Sequence, residues 1–145
     1  MYNMLLDCYE TYLRGLPLPG VYNLTSIGPV QCLADGWTTI QHRGQYGNAK
    51  DYFSAKNWAD YEAGFGSPGK HFFPSPNFKR LNVHKYFISG NELWIGLENI
   101  YNLTNRPVPM ELRIVMEDFS GTVKDAYYDT FRLEDKVCIF HVLNC

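Results

Sequence analysis

The first segment with clear patterning is a short polar and apolar stretch near the N-terminus. Asp7 has the character of a helix N-cap, and Glu10 follows three residues later as in a capping box. Gly15 is typical of the residue just past a helix end. This pattern predicts a short helix that carries Cys8. The side chains available for packing along this helix are Tyr9, Tyr12 and Leu13.

Three short strands are predicted after this helix. Residues 21–24 and 30–33 are apolar runs on either side of a turn at Gly28 and Pro29, which predicts two paired strands. Residues 37–43 begin with a tryptophan and read as a third strand, and a polar loop follows at 44–50.

A second helix is predicted from Ser54 to Ala63. Ser54 can serve as its N-cap, and Gly64 is its C-terminal stop. Trp58 and Tyr61 are three residues apart and therefore share one face of this helix. Because large aromatic side chains are usually buried, we expect four of them to anchor the core. These core anchors are Trp37, Trp58, Tyr61 and Trp94.

The last third of the sequence predicts one more helix and two strands. The helix covers residues 97–103, and the strands cover 111–119 and 126–133 on either side of a turn at Ser120 and Gly121. Alternation places one set of apolar side chains on a single face of the first strand. The fold class is α+β, with short helices packed on small antiparallel sheets. The apolar set is Leu112, Ile114 and Met116.

Length and charge limit the functional classes. The 145 residues suit one domain, and a net charge of −2 gives no electrostatic reason to expect nucleic acid or an anionic membrane as a partner. No apolar run approaches the roughly 18 residues that a membrane span requires. Residues 1–6 lack the features of a secretory signal peptide, so no export signal is visible in the chain.

The cysteines leave their pairing open, because four cysteines allow three complete sets of disulfides. None lies in a C-x-x-C pair, which argues against a structural zinc site. Two triplets, beginning at Asn23 and Asn102, are acceptor sequences for N-glycosylation and gain meaning if the protein is secreted. The four cysteines are Cys8, Cys32, Cys138 and Cys145.

The sequence contains no strong pattern of catalytic or cofactor-binding residues. Residues 64–69 match G-x-G-x-x-G, but they follow a predicted helix and contain Pro68, so we interpret them as a turn. No pair of histidines has the i, i+4 spacing of metal ligands on a helix. A hydrolase that uses scattered histidines is the weakest alternative, and we expect no enzyme. The histidines are His42, His71, His84 and His141.

Several landmarks occur together in an order that is specific to one family, the fibrinogen C-terminal-like (fibrinogen-related) domains. Across residues 7–136 the chain resembles this family, which includes fibrinogen chains, ficolins, angiopoietin-like ligands and tenascins. The landmarks are Asp7-Cys8, Gly20-Val21-Tyr22, Cys32, Asp35-Gly36-Trp37-Thr38, residues 58–66, residues 92–100 with Leu103-Thr104, residues 110–114 with Glu117-Asp118-Phe119, Tyr127-Tyr128, and Phe131.

The resemblance implies the N-terminal portion of such a domain, with Cys8 and Cys32 as its first disulfide. A bond of this loop length stabilises a fold by about 3 kcal/mol. In the family, calcium and the acetylated sugars of the lectins bind in the last third of the domain, and nothing in this sequence matches that third. We therefore expect no catalytic, cofactor-binding or metal-binding residue in this chain, which is truncated before the calcium and ligand subdomain.

Three segments depart from the family pattern. Residues 1–6 are an extension, and residues 137–145 are a divergent tail in which Cys138 and Cys145 either pair or are incidental. Residues 70–90 are an atypical insertion. They are either a surface loop or a retained intron, because Gly69-Lys70 can be encoded with GTAAG and residues 87–90 with TTTCAG followed by G. The partial domain then covers residues 7–136, including the insertion.

By resemblance, the chain is expected to be a fragment of a secreted recognition domain that binds glycans or protein receptors noncovalently, as in innate defence, adhesion or signalling. The alternative is a structural extracellular-matrix or clotting-type module that self-associates. Oligomers would form through segments absent from this chain. Strands and apolar faces left uncovered by truncation would favour aggregation.

Overall fold

The computed structural model describes residues 5–44, 53–68 and 92–134, and the backbone of two short strands at 72–74 and 86–88. The chain divides into two compact units, Met1–Asn99 and Ile100–Cys145. The α+β prediction is confirmed. The helices are α1 (Cys8–Leu13), α2 (Trp58–Ala63) and α3 (Leu97–Thr104), and the strands are β1 (Gly20–Leu24), β2 (Gly28–Cys32), β3 (Gln41–His42), β4 (Phe65–Gly66), β5 (Phe72–Pro74), β6 (Tyr86–Ile88), β7 (Leu93–Trp94), β8 (Met110–Glu117) and β9 (Val123–Phe131).

Helix α1 begins as predicted but buries a different face. The backbone N–H of Glu10 donates to Asp7 Oδ1 at 2.7 Å, which confirms the N-cap. Cys8 and Thr11 are fully buried. The side chains expected to pack are exposed instead, because burial of Cys8 turns the opposite face of this short helix to solvent. These exposed side chains are Tyr9, Tyr12 and Leu13.

A disulfide bond joins Cys8 in α1 to Cys32 at the end of β2, with 5.2 Å between their Cα atoms. Both cysteines are fully buried. Strand β2 pairs antiparallel with β1, and Gly20 lies opposite Cys32. The predicted turn is misplaced: Gly28 and Pro29 belong to β2, and the turn lies at residues 25–27.

The predicted third strand, 37–43, is shorter in the structure. Residues Ala34–Gly36 form a 3₁₀ turn in which Asp35 has a φ of 63°. The chain then changes partner, since Thr39 N–H donates to the carbonyl of Gln31 in β2 whereas the carbonyl of Ile40 accepts from Ile95. Regular pairing in β3 is therefore limited to two residues, which pair with β7.

Helix α2 is capped by Asn57 and not by Ser54. The Asn57 side chain accepts from Asp60 N–H at 3.0 Å, and the Asp60 carboxylate accepts from Asn57 N–H at 3.0 Å. This reciprocal capping box satisfies both backbone donors, so the helix starts three residues later than predicted. Trp58 is 41% exposed at the first helical position and does not act as a buried core anchor.

The core of the first unit lies around the strand pairs. Strand β7 is the centre of a three-stranded antiparallel sheet in the order β3–β7–β4. Strands β5 and β6 pair separately with each other. The buried apolar side chains of this unit include Leu24, Val30, Phe53, Leu93, Ile95 and Leu97.

The second unit contains a long antiparallel pair, β8–β9, which confirms the two strands predicted there. In their register Leu112 lies opposite Tyr128 and Ile114 opposite Ala126, so the predicted apolar face exists. Met116 on this face is 55% exposed. Both strands begin and end earlier than predicted.

Several sequence predictions fall outside the described residues. These are the extension at 1–4, all of the insertion 70–90 except the backbone of β5 and β6, and the tail at 137–145 with Cys138 and Cys145. The histidines His71, His84 and His141 lie there too.

Candidate functional site

A cleft of about 210 Å³ opens on the first unit. Three segments form its walls. The first is the β1–β2 turn with the start of β2, the second is residues 63–68 around β4, and the third is residues 93–99 from β7 into α3. These segments are distant in sequence and meet because β4 and β7 pair. The residues that line the cleft include Ile27, Pro29, Phe65, Pro68, Trp94 and Asn99.

Two of the lining residues belong to an aromatic cluster. The Tyr61 ring packs edge-on against Phe65, with centroids 5.2 Å apart, and against Trp94, with centroids 6.0 Å apart. Phe53 packs edge-on against Phe65 at 4.9 Å. Trp94 Nε1 donates to the Tyr61 carbonyl at 2.7 Å, which fixes the orientation of the indole. These contacts position the Phe65 and Trp94 rings in the cleft wall.

Two cations lie over this cluster. The guanidinium carbon of Arg43 is 4.5 Å from the centroid of Phe53, and Lys56 Nζ is 5.3 Å from that of Phe65. Both distances are within the range of cation–π attraction. They add positive charge beside the aromatic cluster.

Backbone packing brings β4 close to β7 at the cleft. Gly66 has a φ of 85°, and a Cβ built there would lie 2.0 Å from the carbonyl oxygen of Glu92. A glycine is required at this position by both the backbone conformation and the lack of space. Gly66 also lines the cleft.

The polar groups in the cleft wall are few and uncharged. Asn99 Nδ2 donates to the Ile95 carbonyl at 2.7 Å, which holds the carboxamide at the cleft. Among the described lining residues, none is acidic, basic, a histidine, a cysteine or a tyrosine. Within the same described part of the chain, no group of three or more His, Cys, Asp or Glu side chains could hold a metal ion. Among the described residues that line the cleft, Ser67 carries a hydroxyl group and Asn99 a carboxamide.

The tip of the β8–β9 hairpin holds a carboxylate that accepts several hydrogen bonds. Asp118 Oδ1 accepts hydrogen bonds from the Ser120 hydroxyl at 2.6 Å, the Thr122 N–H at 2.8 Å and the Ser120 N–H at 2.9 Å. These donors, the Ser120 hydroxyl first, lower the pKa of Asp118 below 3.8. Phe119 beside it is 96% exposed.

The structure brings together only some of the residues expected to form a core. Tyr61 and Trp94 are in contact with each other and half-buried, Trp37 is half-buried after the 3₁₀ turn, and Trp58 is exposed. Asn23 and Asn102 are both exposed. Phe53, Phe65 and Asn99 were not predicted as site residues. The local signal near them is Gly64-Phe65-Gly66, which was interpreted as part of a turn.

Residues 7–143 match the family described as the C-terminal globular domain of fibrinogen beta and gamma chains. The chain is 30% identical to Techylectin-5A of Tachypleus tridentatus over 141 residues, which cover 90% of this chain and 40% of that protein. It is 35% identical to Angiopoietin-related protein 6 of Homo sapiens, over 88% of this chain and 23% of that protein. It is 33% identical to Ficolin-3 of Homo sapiens, over 90% of this chain and 38% of that protein.

The chain thus spans less than half the length of these relatives. Among the described residues, no helix is long and apolar enough to cross a bilayer.

Proposed function

The chain belongs to the fibrinogen C-terminal globular domain family, and from this premise we propose that it is part of a secreted recognition domain that binds glycans or protein receptors noncovalently. The observation that carries the proposal is the cleft lined by Phe65 and Trp94, in which a hydrogen bond to the Tyr61 carbonyl orients the Trp94 indole. A pre-formed cleft with few polar groups is typical of a binding site.

The size and chemistry of the cleft suggest what it would contact. A volume of about 210 Å³ is smaller than a drug-sized pocket but accommodates an acyl or branched aliphatic group of a larger ligand. The Trp94 and Phe65 rings supply apolar contact, and the Asn99 carboxamide supplies a polar one. Such a site orients a projecting group and leaves most of the ligand outside.

The extracellular setting is supported by the cysteine chemistry. A buried disulfide between Cys8 and Cys32 is typical of proteins from oxidising compartments. The relatives include a protein named as a lectin, which supports glycans as one ligand class.

We extend the proposal to the domain organisation: residues 7–136 form a partial domain, with 70–90 as an insertion and 137–145 as a divergent tail. Whether 70–90 derives from a retained intron is tested by sequencing the transcript and the gene. A transcript without these codons beside a gene that carries splice signals at both ends would establish the intron. Codons that lack those signals would exclude it.

Recognition by the cleft is tested with a glycan array and two matched variants. Ser67 lines the cleft and is exposed, whereas Ser54 is exposed elsewhere in the same unit. Ser67→Arg places a long charged side chain at the rim, and we expect it to reduce binding at least tenfold while Ser54→Arg does not. Equal binding by both variants would exclude the cleft, and no binding to glycans or to a cell-surface receptor library would exclude recognition.

Self-association in an extracellular matrix is the second candidate function, and the exposed apolar side chains favour it. Tyr9 and Leu13 lie exposed on α1 of the first unit, and Met116 lies exposed on β8 of the second. Surfaces of this kind promote association. Sedimentation of the oxidised chain at rising concentration tests this, and a monomer at every concentration would exclude it.

A further inference from the structure

The two N-glycosylation triplets have different structural settings. Asn23 is exposed in β1, and Thr25 is exposed just beyond the strand end, whereas Leu24 between them is only 1% exposed. Within the described residues, neither the Asn23 carboxamide nor the Thr25 hydroxyl makes a hydrogen bond. Both groups that the acceptor sequence requires are therefore accessible in the folded first unit.

The second triplet is only half accessible. Asn102 is exposed on α3, but Thr104 is 6% exposed. The Thr104 hydroxyl donates to the Ile100 carbonyl at 2.9 Å and accepts from the Leu133 N–H at 3.1 Å. It thus ties the end of α3 to the segment after β9. This role accounts for a threonine at 104 without any modification.

We propose that Asn23 is N-glycosylated and that Asn102 is not, because the Asn102 triplet arises from a structural threonine. The proposal rests on the secreted setting proposed above. In the transfer, Asn23 Nδ2 forms a bond to C1 of the oligosaccharide of a lipid-linked diphosphate donor. The bond from C1 to the diphosphate oxygen breaks, the amide loses one proton to a base of the transferring enzyme, and the lipid diphosphate leaves.

The position of Asn23 relates this modification to the cleft. Asn23 lies opposite Pro29 in the β1–β2 register, and Pro29 lines the cleft. An oligosaccharide on Asn23 stands beside the cleft rim, whereas Asn102 belongs to the second unit.

The site is tested by expressing the full chain behind a cleavable signal sequence in human cells. We expect one endoglycosidase-sensitive mobility shift that Asn102→Gln retains and Asn23→Gln abolishes. Peptide mapping of the Cys8–Cys32 disulfide shows that the chain entered the oxidising compartment and folded. In oxidised protein, no shift, two shifts, or one shift abolished only by Asn102→Gln would overturn the proposal.

The structural role of Thr104 is tested on unglycosylated, refolded protein. Thr104→Val keeps the shape and removes the hydroxyl, so we expect a lower urea midpoint than in the wild type. Thr25→Val is the matched control and should leave the midpoint unchanged. A Thr104→Val midpoint equal to that of the wild type would overturn the structural explanation. Failure of the glycosylation proposal can be told apart from failure of the proposed recognition function. If unglycosylated protein binds a glycan array, the recognition proposal stands even when Asn23 carries no oligosaccharide.

Discussion

The indole Nε1 of Trp94 donates a hydrogen bond to the backbone carbonyl of Tyr61, 33 residues earlier in the chain. This bond joins β7 to α2, and the two side chains also stack edge-on. The contacts between these two residues therefore hold α2 against β7 and position the Trp94 ring in the cleft wall.

Trp94→Phe should destabilise the first unit by about 1–3 kcal/mol, because the part-buried Tyr61 carbonyl loses its donor. The free energy of unfolding in urea measures this. Trp58→Phe is the control: Trp58 is 41% exposed and its replacement keeps an aromatic ring, so it should change stability by no more than about 0.5 kcal/mol. Equal losses in both variants would show that the Trp94 bond contributes nothing specific.

Gly66→Ala should be far more damaging than Gly15→Ala. Both glycines have a positive φ, which costs any other residue about 1–2 kcal/mol. Only at Gly66 would the added methyl group collide with the Glu92 carbonyl, whereas nothing lies within 4 Å at Gly15. Thermal unfolding of the two variants is the measurement, because Gly15→Ala introduces only the backbone strain and Gly66→Ala introduces both the strain and the collision. Similar melting temperatures would contradict the close approach of β4 and β7.

The pH dependence of stability should reflect Asp118. Its folded-state pKa is lowered, first by the Ser120 hydroxyl, so the ionised form stabilises the hairpin above pH 3.8. That stabilisation is lost as the pH falls through the lowered value. We expect Ser120→Ala to raise the pKa of Asp118 toward 3.8, as measured by NMR titration of its side chain. An unchanged titration curve would show that the hydroxyl does not hold the carboxylate.

Deletion of residues 70–90 should leave the three-stranded sheet intact. Gly66 lies directly opposite Leu93, so residues 67–92 leave and re-enter the sheet at neighbouring positions. The deletion leaves only residues 67–69 and 91–92 between them. Five residues are enough to close a hairpin. We expect an unchanged or higher urea midpoint for the deletion variant, and an unfolded product would show that the insertion is part of the core.

Local features of the sequence were sufficient for the elements whose ends are set by neighbouring residues. Asp7 caps α1 through a bond to the backbone three residues on, and Gly64 ends α2 with a φ of 93°. Alternation along residues 111–119 likewise indicated a strand with one apolar face, and the structure has it at Met110–Glu117. In each case the deciding interaction joins residues close together in the chain, so the sequence alone determined it.

The tertiary structure decided which aromatic side chains pack against one another and where a cleft forms. Trp58 and Trp94 are the same residue type, but only Trp94 lies on a strand paired on both sides. The segment at 38–42 is divided because it exchanges β2 for β7 as its partner. The cleft needs segments around residues 28, 65 and 94 to meet. Such contacts depend on long-range pairing, which no local pattern of residues specifies.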